Sequence, residues 1–376
     1  MPARKFFYFF YGDLIPSGLP PGDDPRRFLS HRADGILSAV LEAGPSGLGY
    51  REACVRYSAG PVDGLIRAGL FRVEAGGLRL DAPVFLREDA GALTHFLAGE
   101  IPPLAGRLEA ALPALHAAIC PLDNGFDEKV NLYHLLCGAV LDGTFFDYLS
   151  ARGVLAESRV HPSGLDYILT VYEDAPELNH FSNRLLCSCN RLSDGRRSLQ
   201  SFGDADGERL DFYRFFNWKQ AGRVPEAYRK VGQDWDAALG PAAGESPVSQ
   251  ILDAAEQLAA GGHCAPPFLR LLEDFGYCAG GAYCVPVYRR ETEAVLQQLF
   301  TAVSGCIGEA AGELLARPGL YAALSVFPHG VSREETANEL YHIVFGLLNE
   351  ELAARGIAAS PPYRQGEGRY LKAFFL

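Results

Sequence analysis

Apolar side chains recur at helical spacing through "ADGILSAVLEAG", "YREACVRYS" and "PVDGLIRAG", each segment punctuated by Gly or Pro, which predicts three short helices between Ala33 and Gly69. The pattern then shortens to strand-like runs on either side of Gly76-Gly77, which predicts a hairpin turning at the paired glycines. Longer helical stretches follow at Ala90 to Ile119 and Asp127 to Arg152, and again at Arg290 to Ala316 and Arg333 to Arg355. Aromatic-rich runs at Lys5 to Tyr11 and Asp211 to Trp218 read as strands, because aromatics suit a pleated, half-buried surface. Further strands are expected at Asn183 to Asn190 and Arg197 to Gly203, and closing strands at Gly164 to Tyr172 and Glu367 to Phe375. The stretch Leu239 to Pro247 reads as a loop.

These elements come twice. Pro83 matches Pro286 at a shift of 203, the glycine pair matches Gly280-Gly281 at 204, and "LYHLLCG" (Leu132 to Gly138) matches "LYHIVFG" (Leu340 to Gly346) at 208. "FFYFFYGD" (Phe6 to Asp13) is laid over "FYRFFNWK" (Phe212 to Lys219) at 206, and the two closing strands match at 203. Near-constant offsets over separated stretches are the signature of an internal repeat. The expected fold is therefore α+β and internally duplicated, with copy A at 1–205 and copy B at 206–376. The two helical units would be related by a pseudo-two-fold axis around a shared antiparallel sheet.

A length of 376 residues suits two such copies, since single cores seldom grow much larger. A net charge of −12 argues against a surface that is wholly a nucleic-acid footprint, though not against a local basic patch. The apolar run after Arg4 and Lys5 is too short for a signal segment, and no uninterrupted apolar run has spanning length. A cytoplasmic protein without a membrane partner is expected. Nine scattered cysteines without a CxxC read as reduced, mostly buried thiols.

Three short helices and a glycine-tipped hairpin over Ala33 to Leu86, "PVDGLIRAGLFRVEAGGLRLDAPVFL" above all, resemble the winged helix-turn-helix superfamily. The resemblance implies a third helix at Gly60 to Gly69 that enters the major groove, and a wing at Phe71 to Asp81 that touches the backbone. The implied DNA contacts are Arg51, Arg56, Arg67, Arg72 and Arg79, set against Glu52, Asp63 and Glu74. In copy B the corresponding helix holds Arg270 against Glu273 and Asp274, and its wing is uncharged, so copy A alone is the expected DNA reader.

A second basic stretch between the copies contains Arg184, Arg191, Arg196, Arg197 and Arg214, interleaved with Tyr213, Phe215 and Trp218 as on single-strand binding surfaces. It reads equally as a solvated sheet edge. The repeated Tyr133-His134 and Tyr341-His342 pairs are candidates for a groove between the copies that takes a small molecule or a protein partner and titrates near neutral pH. They are also what a hydrogen-bonded helix interface would contain. Cys187 and Cys189, with His180 or His134, have a non-standard zinc spacing. No cofactor motif and no catalytic residue is assigned, because P-loop, GxGxxG, GxSxG and HExxH patterns are all missing from the sequence.

The function expected is that of a winged-helix regulator binding DNA through copy A. The alternative is a protein-interaction or scaffold protein whose winged helices pack internally. A metal-dependent or hydrolytic enzyme is the third reading.

Overall fold

The computed structural model describes residues 4–12, 24–29, 31–240 and 246–376, so most of the Leu239 to Pro247 stretch lies outside the described residues. In chain order the elements are β1 (Phe6–Tyr11), α1 (His31–Glu42), β2 (Leu48–Gly49), α2 (Tyr50–Tyr57), α3 (Ala59–Arg67), β3 (Phe71–Glu74), β4 (Gly77–Leu80) and β5 (Val84–Phe85). Helices α4 (Asp89–Leu97), α5 (Ile101–Ala110), α6 (Leu112–Ile119) and α7 (Glu128–Leu132) follow. A π-helix (Tyr133–Thr144), α8 (Phe145–Ala151), β6 (Ile168–Glu173), α9 (Asn179–Ser182), β7 (Ser188–Ser193) and β8 (Ser198–Gly203) come next. The chain continues through α10 (Phe212–Gln220), α11 (Arg229–Leu239), α12 (Pro247–Ala259), α13 (Pro266–Asp274), β9 (Cys278–Ala279), β10 (Ala282–Tyr283) and β11 (Val287–Tyr288). It closes with α14 (Thr292–Ala316), α15 (Pro318–Ala322), α16 (Arg333–Ala354), β12 (Tyr363–Arg364) and β13 (Gly368–Phe375).

The fold is a mixture of helices with several small sheets, as α+β implies. The chain forms two compact units: unit 1 comprises 1–108, 144–183 and 304–348, and unit 2 comprises 109–143, 184–303 and 349–376. The division does not follow copies A and B. The helical segment 109–143 joins the strands of the second half, and 304–348 joins those of the first.

Within unit 1, β6 pairs antiparallel with β1 and parallel with β5. Within unit 2, β13 pairs antiparallel with β8 and parallel with β11, and β7 extends the sheet beyond β8. The details also correspond: Val171 N–H donates to the Pro83 carbonyl, and Phe374 N–H donates to that of Pro286. These strands thus form two separate sheets, each with a parallel edge pair, and among the described residues the expected single antiparallel sheet is not formed.

The stretch Asp211 to Trp218, expected as a strand, is helix α10. Asp211 caps it, its side chain accepting from Arg214 N–H at 2.8 Å, and Phe212, Phe215 and Trp235 meet on one apolar side. A run of five apolar or aromatic residues in seven satisfies helical and strand spacing alike, and the cap decides. The strand that stands where β1 stands in unit 1 is instead β8.

The expected helix over Asp127 to Arg152 is α7, the π-helix and α8 in succession. Its middle winds wider, with i→i+5 bonding that a 3.6-residue period does not encode. A Cβ on Gly138 would lie 3.1 Å from the Phe202 ring, so the bare position lets this helix pack closely against β8. Asp127 starts the run by accepting from Lys129 N–H at 2.7 Å. Asp127→Ala is expected to cost about 1 kcal/mol in urea unfolding, the usual worth of an N-cap.

Each unit has its own core. That of unit 1 brings Ile36, Leu37, Val40, Val62, Leu65, Phe71, Leu80 and Val171 together. That of unit 2 gathers Phe212, Phe215, Trp235, Ile251, Leu271, Phe275 and Phe374. Helix α14 is long and apolar enough on average to cross a membrane. Its residues Val295, Leu299, Val303, Ile307, Ala311 and Leu314 are buried at helical spacing, the stripe of a core helix.

Candidate functional site

In unit 1, α1, β2, α2, α3, β3 and β4 follow one another, and the strands form a sheet of order β2-β4-β3. Leu48 opposes Leu78, and Phe71 opposes Leu80. The hairpin turns at Ala75 and Gly76, both at positive φ, the conformation a two-residue turn needs to match strand twist. Ser58, at φ 74, makes the break between α2 and α3.

Helix α3 buries Val62, Gly64 and Leu65 against the core. A Cβ on Gly64 would meet the Phe28 ring at 2.3 Å, so the glycine permits that contact. The opposite side of α3, with Ala59, Gly60, Asp63 and Arg67, is exposed, as are Arg51 and Arg56 on α2. Small residues on an open helix let a bulky partner approach the backbone closely. Tyr50 Oη donates to Asp63 Oδ1 at 2.8 Å, which engages the one carboxylate of that helix. Arg56 lies 5.0 Å from the Tyr57 ring and Arg67 6.0 Å from that of Phe28.

Arg72 and Arg79 lie on the β3–β4 hairpin. Arg72 donates to the carbonyls of Leu80, His329 and Gly330 and pairs with Asp81 at 3.4 Å. Arg79 pairs with Glu74 at 3.2 Å. Both therefore brace the hairpin.

In unit 2 the corresponding α13 packs against α11, with Arg270 at 3.8 Å from Asp234 and Lys230 at 3.4 Å from Asp274. Its hairpin is only two residues a side, and among the described residues no strand equivalent to β2 joins it.

The second basic stretch is largely structural. Arg197 is buried among Asp194, Asp253 and Glu256, and Arg214 donates to the Gly207 and Ala205 carbonyls. Arg184 and Arg196 pair with Asp206 and Glu256, and Arg191 lies beside Cys189. Phe215 is a core residue and Trp218 stacks on Tyr228 at 5.6 Å, so neither is displayed for a base.

Tyr133 and His134 lie in unit 2, Tyr341 and His342 in unit 1. Tyr133 Oη donates to the Phe202 carbonyl at 3.1 Å, and His342 stacks on Tyr11 at 3.8 Å while its Nδ1 faces the Asn338 carbonyl at 3.0 Å. Burial pushes both imidazoles down to about 3, so they stay neutral at physiological pH rather than titrating there.

All nine cysteines are free thiols, and burial raises Cys189. Among the described residues no group of three or more His, Cys, Asp or Glu is placed to hold a metal ion, Cys187 and Cys189 included.

Two features went unread in the sequence. Glu339 is a carboxyl 2% exposed, receiving the Tyr172 hydroxyl. Lys372 shares the inward alternation of β13 with Tyr370 and Phe374. A lysine in phase with buried positions was the available signal for the latter. Comparison with protein-family models, curated proteins and solved structures finds no match to this chain.

Proposed function

We propose that the protein is a DNA-binding regulator that docks on duplex DNA through α2 and α3 of unit 1. The observation carrying this reading is the open outer side of α3, small-residued and flanked by the exposed Arg51, Arg56 and Arg67, whereas α13 of unit 2 has a single arginine, Arg270, set 3.8 Å from Asp234. Helix order, strand order and the positive-φ turn support a winged-helix identity for this module. With three cations and Glu52 nearby, binding is phosphate-led, weak and asymmetric. The matched strand arrangements and the Pro83 and Pro286 contacts support an internal duplication in which the two copies exchanged helical segments. The reading places the protein in the cytoplasm, where DNA is within reach.

The test is fluorescence anisotropy with a random duplex at two salt concentrations. The wild type should bind at low salt with a log–log slope of about −2 to −3, from roughly 0.9 per phosphate contact. Arg51→Glu, Arg56→Glu and Arg67→Glu combined should abolish binding, while Arg79→Glu should leave the slope unchanged. Wild-type binding that is absent, or insensitive to the triple change, sinks the proposal. A protein-docking role for the same face is favoured by Val55, 89% exposed on α2, and is the reading left standing by that outcome.

A further inference from the structure

Unit 2 contains a half-open cavity of about 470 Å³, within the range of small-molecule sites. Phe126, Val130, Leu210 and Val285 form an apolar wall. β13 presents Tyr370 and Lys372, and β12 contributes Arg364.

The Lys372 ammonium donates to the Phe275 carbonyl and lies 5.2 Å from the Tyr370 ring and 5.7 Å from that of Tyr277. Arg364 donates to the Tyr370 carbonyl at 2.8 Å and covers its ring at 4.3 Å. Among the described residues, neither has a carboxylate within the 4.0 Å of an ion pair. The acids lining the cavity are engaged: Glu367 accepts the Tyr370 hydroxyl, and Asp274 pairs with Lys230. His134 is 3% exposed and its Nε2 has no hydrogen-bond partner, although it lines the cavity.

Lys372 is half-buried and Arg364 exposed, and a partly desolvated ammonium without an ion-pair partner is costly, as is an unpartnered buried ring nitrogen. One ligand can relieve both. We propose that this cavity binds a small monocarboxylate with an aromatic or branched apolar body. The carboxylate would lie between Lys372 and Arg364, the body against Phe126, Leu210 and Val285, and His134 Nε2 would take a polar substituent. A single negative charge suffices, because Asp211 and Glu367 already partly offset the field at Lys372. Burial and the neighbouring Arg364 and Arg209 draw the lysine down to about 8, so it is still mainly an ammonium at neutral pH, and a bound carboxylate would raise it again.

Titration calorimetry on the full chain tests this with phenylacetate, its uncharged match phenylacetamide, and acetate, which has the charge without the body. Phenylacetate should saturate one site below roughly 10 mM, with each of the others at least about tenfold weaker. Lys372→Met should weaken phenylacetate about tenfold or more, and Arg364→Gln, at an exposed position, should weaken it several-fold without affecting folding. Circular dichroism checks the first variant, and should it fail to fold, the second decides. Equal binding of the three probes, no saturation by phenylacetate, or unchanged binding in the folded variants overturns the proposal. The cavity belongs to unit 2 and the DNA face to unit 1, so either reading stands if the other fails.

Discussion

Arg209→Met is expected to lower the stability of unit 2 by about 3–5 kcal/mol, the usual result of breaking a buried ionic network from one side. Arg209 is fully buried, and its guanidinium donates to the carbonyls of Ser188, Ser201 and Asp204 and to the Ser188 and Ser201 hydroxyls, at 2.7 to 3.2 Å. Its Nε lies 3.7 Å from Asp211 Oδ2. One side chain thus ties β7, β8 and the start of α10. Methionine fills a similar volume but supplies no donor, leaving three carbonyls and the Asp211 carboxylate short of partners. Asp211 would keep Asn190 Nδ2 at 2.7 Å and the Arg214 N–H, so loss should be partial rather than total. The chain's two tryptophans, Trp218 and Trp235, both lie in unit 2, so their fluorescence in urea reports the relevant transition. A loss under about 1 kcal/mol would mean that the network contributes no more than an ordinary surface contact.

Glu339→Gln should act in the opposite direction, and only at higher pH. In unit 1 the Glu339 carboxyl receives the Tyr172 hydroxyl, and His342 one turn on stacks against Tyr11. Burial raises Glu339 to about 7, more than the Tyr172, Tyr11 and Thr170 hydroxyls lower it. An unfolded glutamate titrates near 4.3, so below that pH both states hold the proton and no penalty exists. As pH rises the unfolded chain ionises first, stability falls, and by pH 8 the whole penalty of about 3 kcal/mol applies. Glutamine keeps an oxygen for Tyr172 and cannot ionise. The variant should therefore match the wild type near pH 4 and exceed it by about 2–3 kcal/mol at pH 8, measured by calorimetric unfolding. His134 and His342, drawn down to about 3, weaken the fold in the other direction as pH falls below about 6.5. Because both proteins share that term, the difference between them isolates Glu339. A gain that is the same at both pH values would refute the ionisation argument.

Local pattern was a good guide where local physics decides. The third helix expected at Gly60 to Gly69 is α3 at Ala59–Arg67, and the wing strands and both closing strands lie within a few residues of their expected places. Gly280 and Gly281 turn the second hairpin as expected, because glycine takes positive φ at no cost, but the first turns one residue early, at Ala75 and Gly76, with Gly77 already in β4. Pattern failed where two readings shared one composition, as at Asp211 to Trp218, and where the winding changed to i→i+5 around His134. The candidate site was legible in type but not in disposition. All five arginines could be named, yet only coordinates separate Arg51, Arg56 and Arg67 from Arg72 and Arg79, which are held by Asp81 and Glu74. Lys372 and Arg364 were passed over because neither forms a motif: Arg364 bonds to Tyr370 close by on the hairpin, but Lys372 meets Phe275, 97 residues away, and much of the apolar cavity wall comes from still more distant segments.

By itself the amino-acid order determined the turns, the caps, the alternating strands and the repeated offsets, all of which depend on interactions within a few residues. Which sheet each helical segment joins, which arginines stay exposed, and which ionisable groups lose their water were decided only in the tertiary structure. Those outcomes rest on burial and on contacts between distant segments, and neither leaves a period or a spacing in the chain.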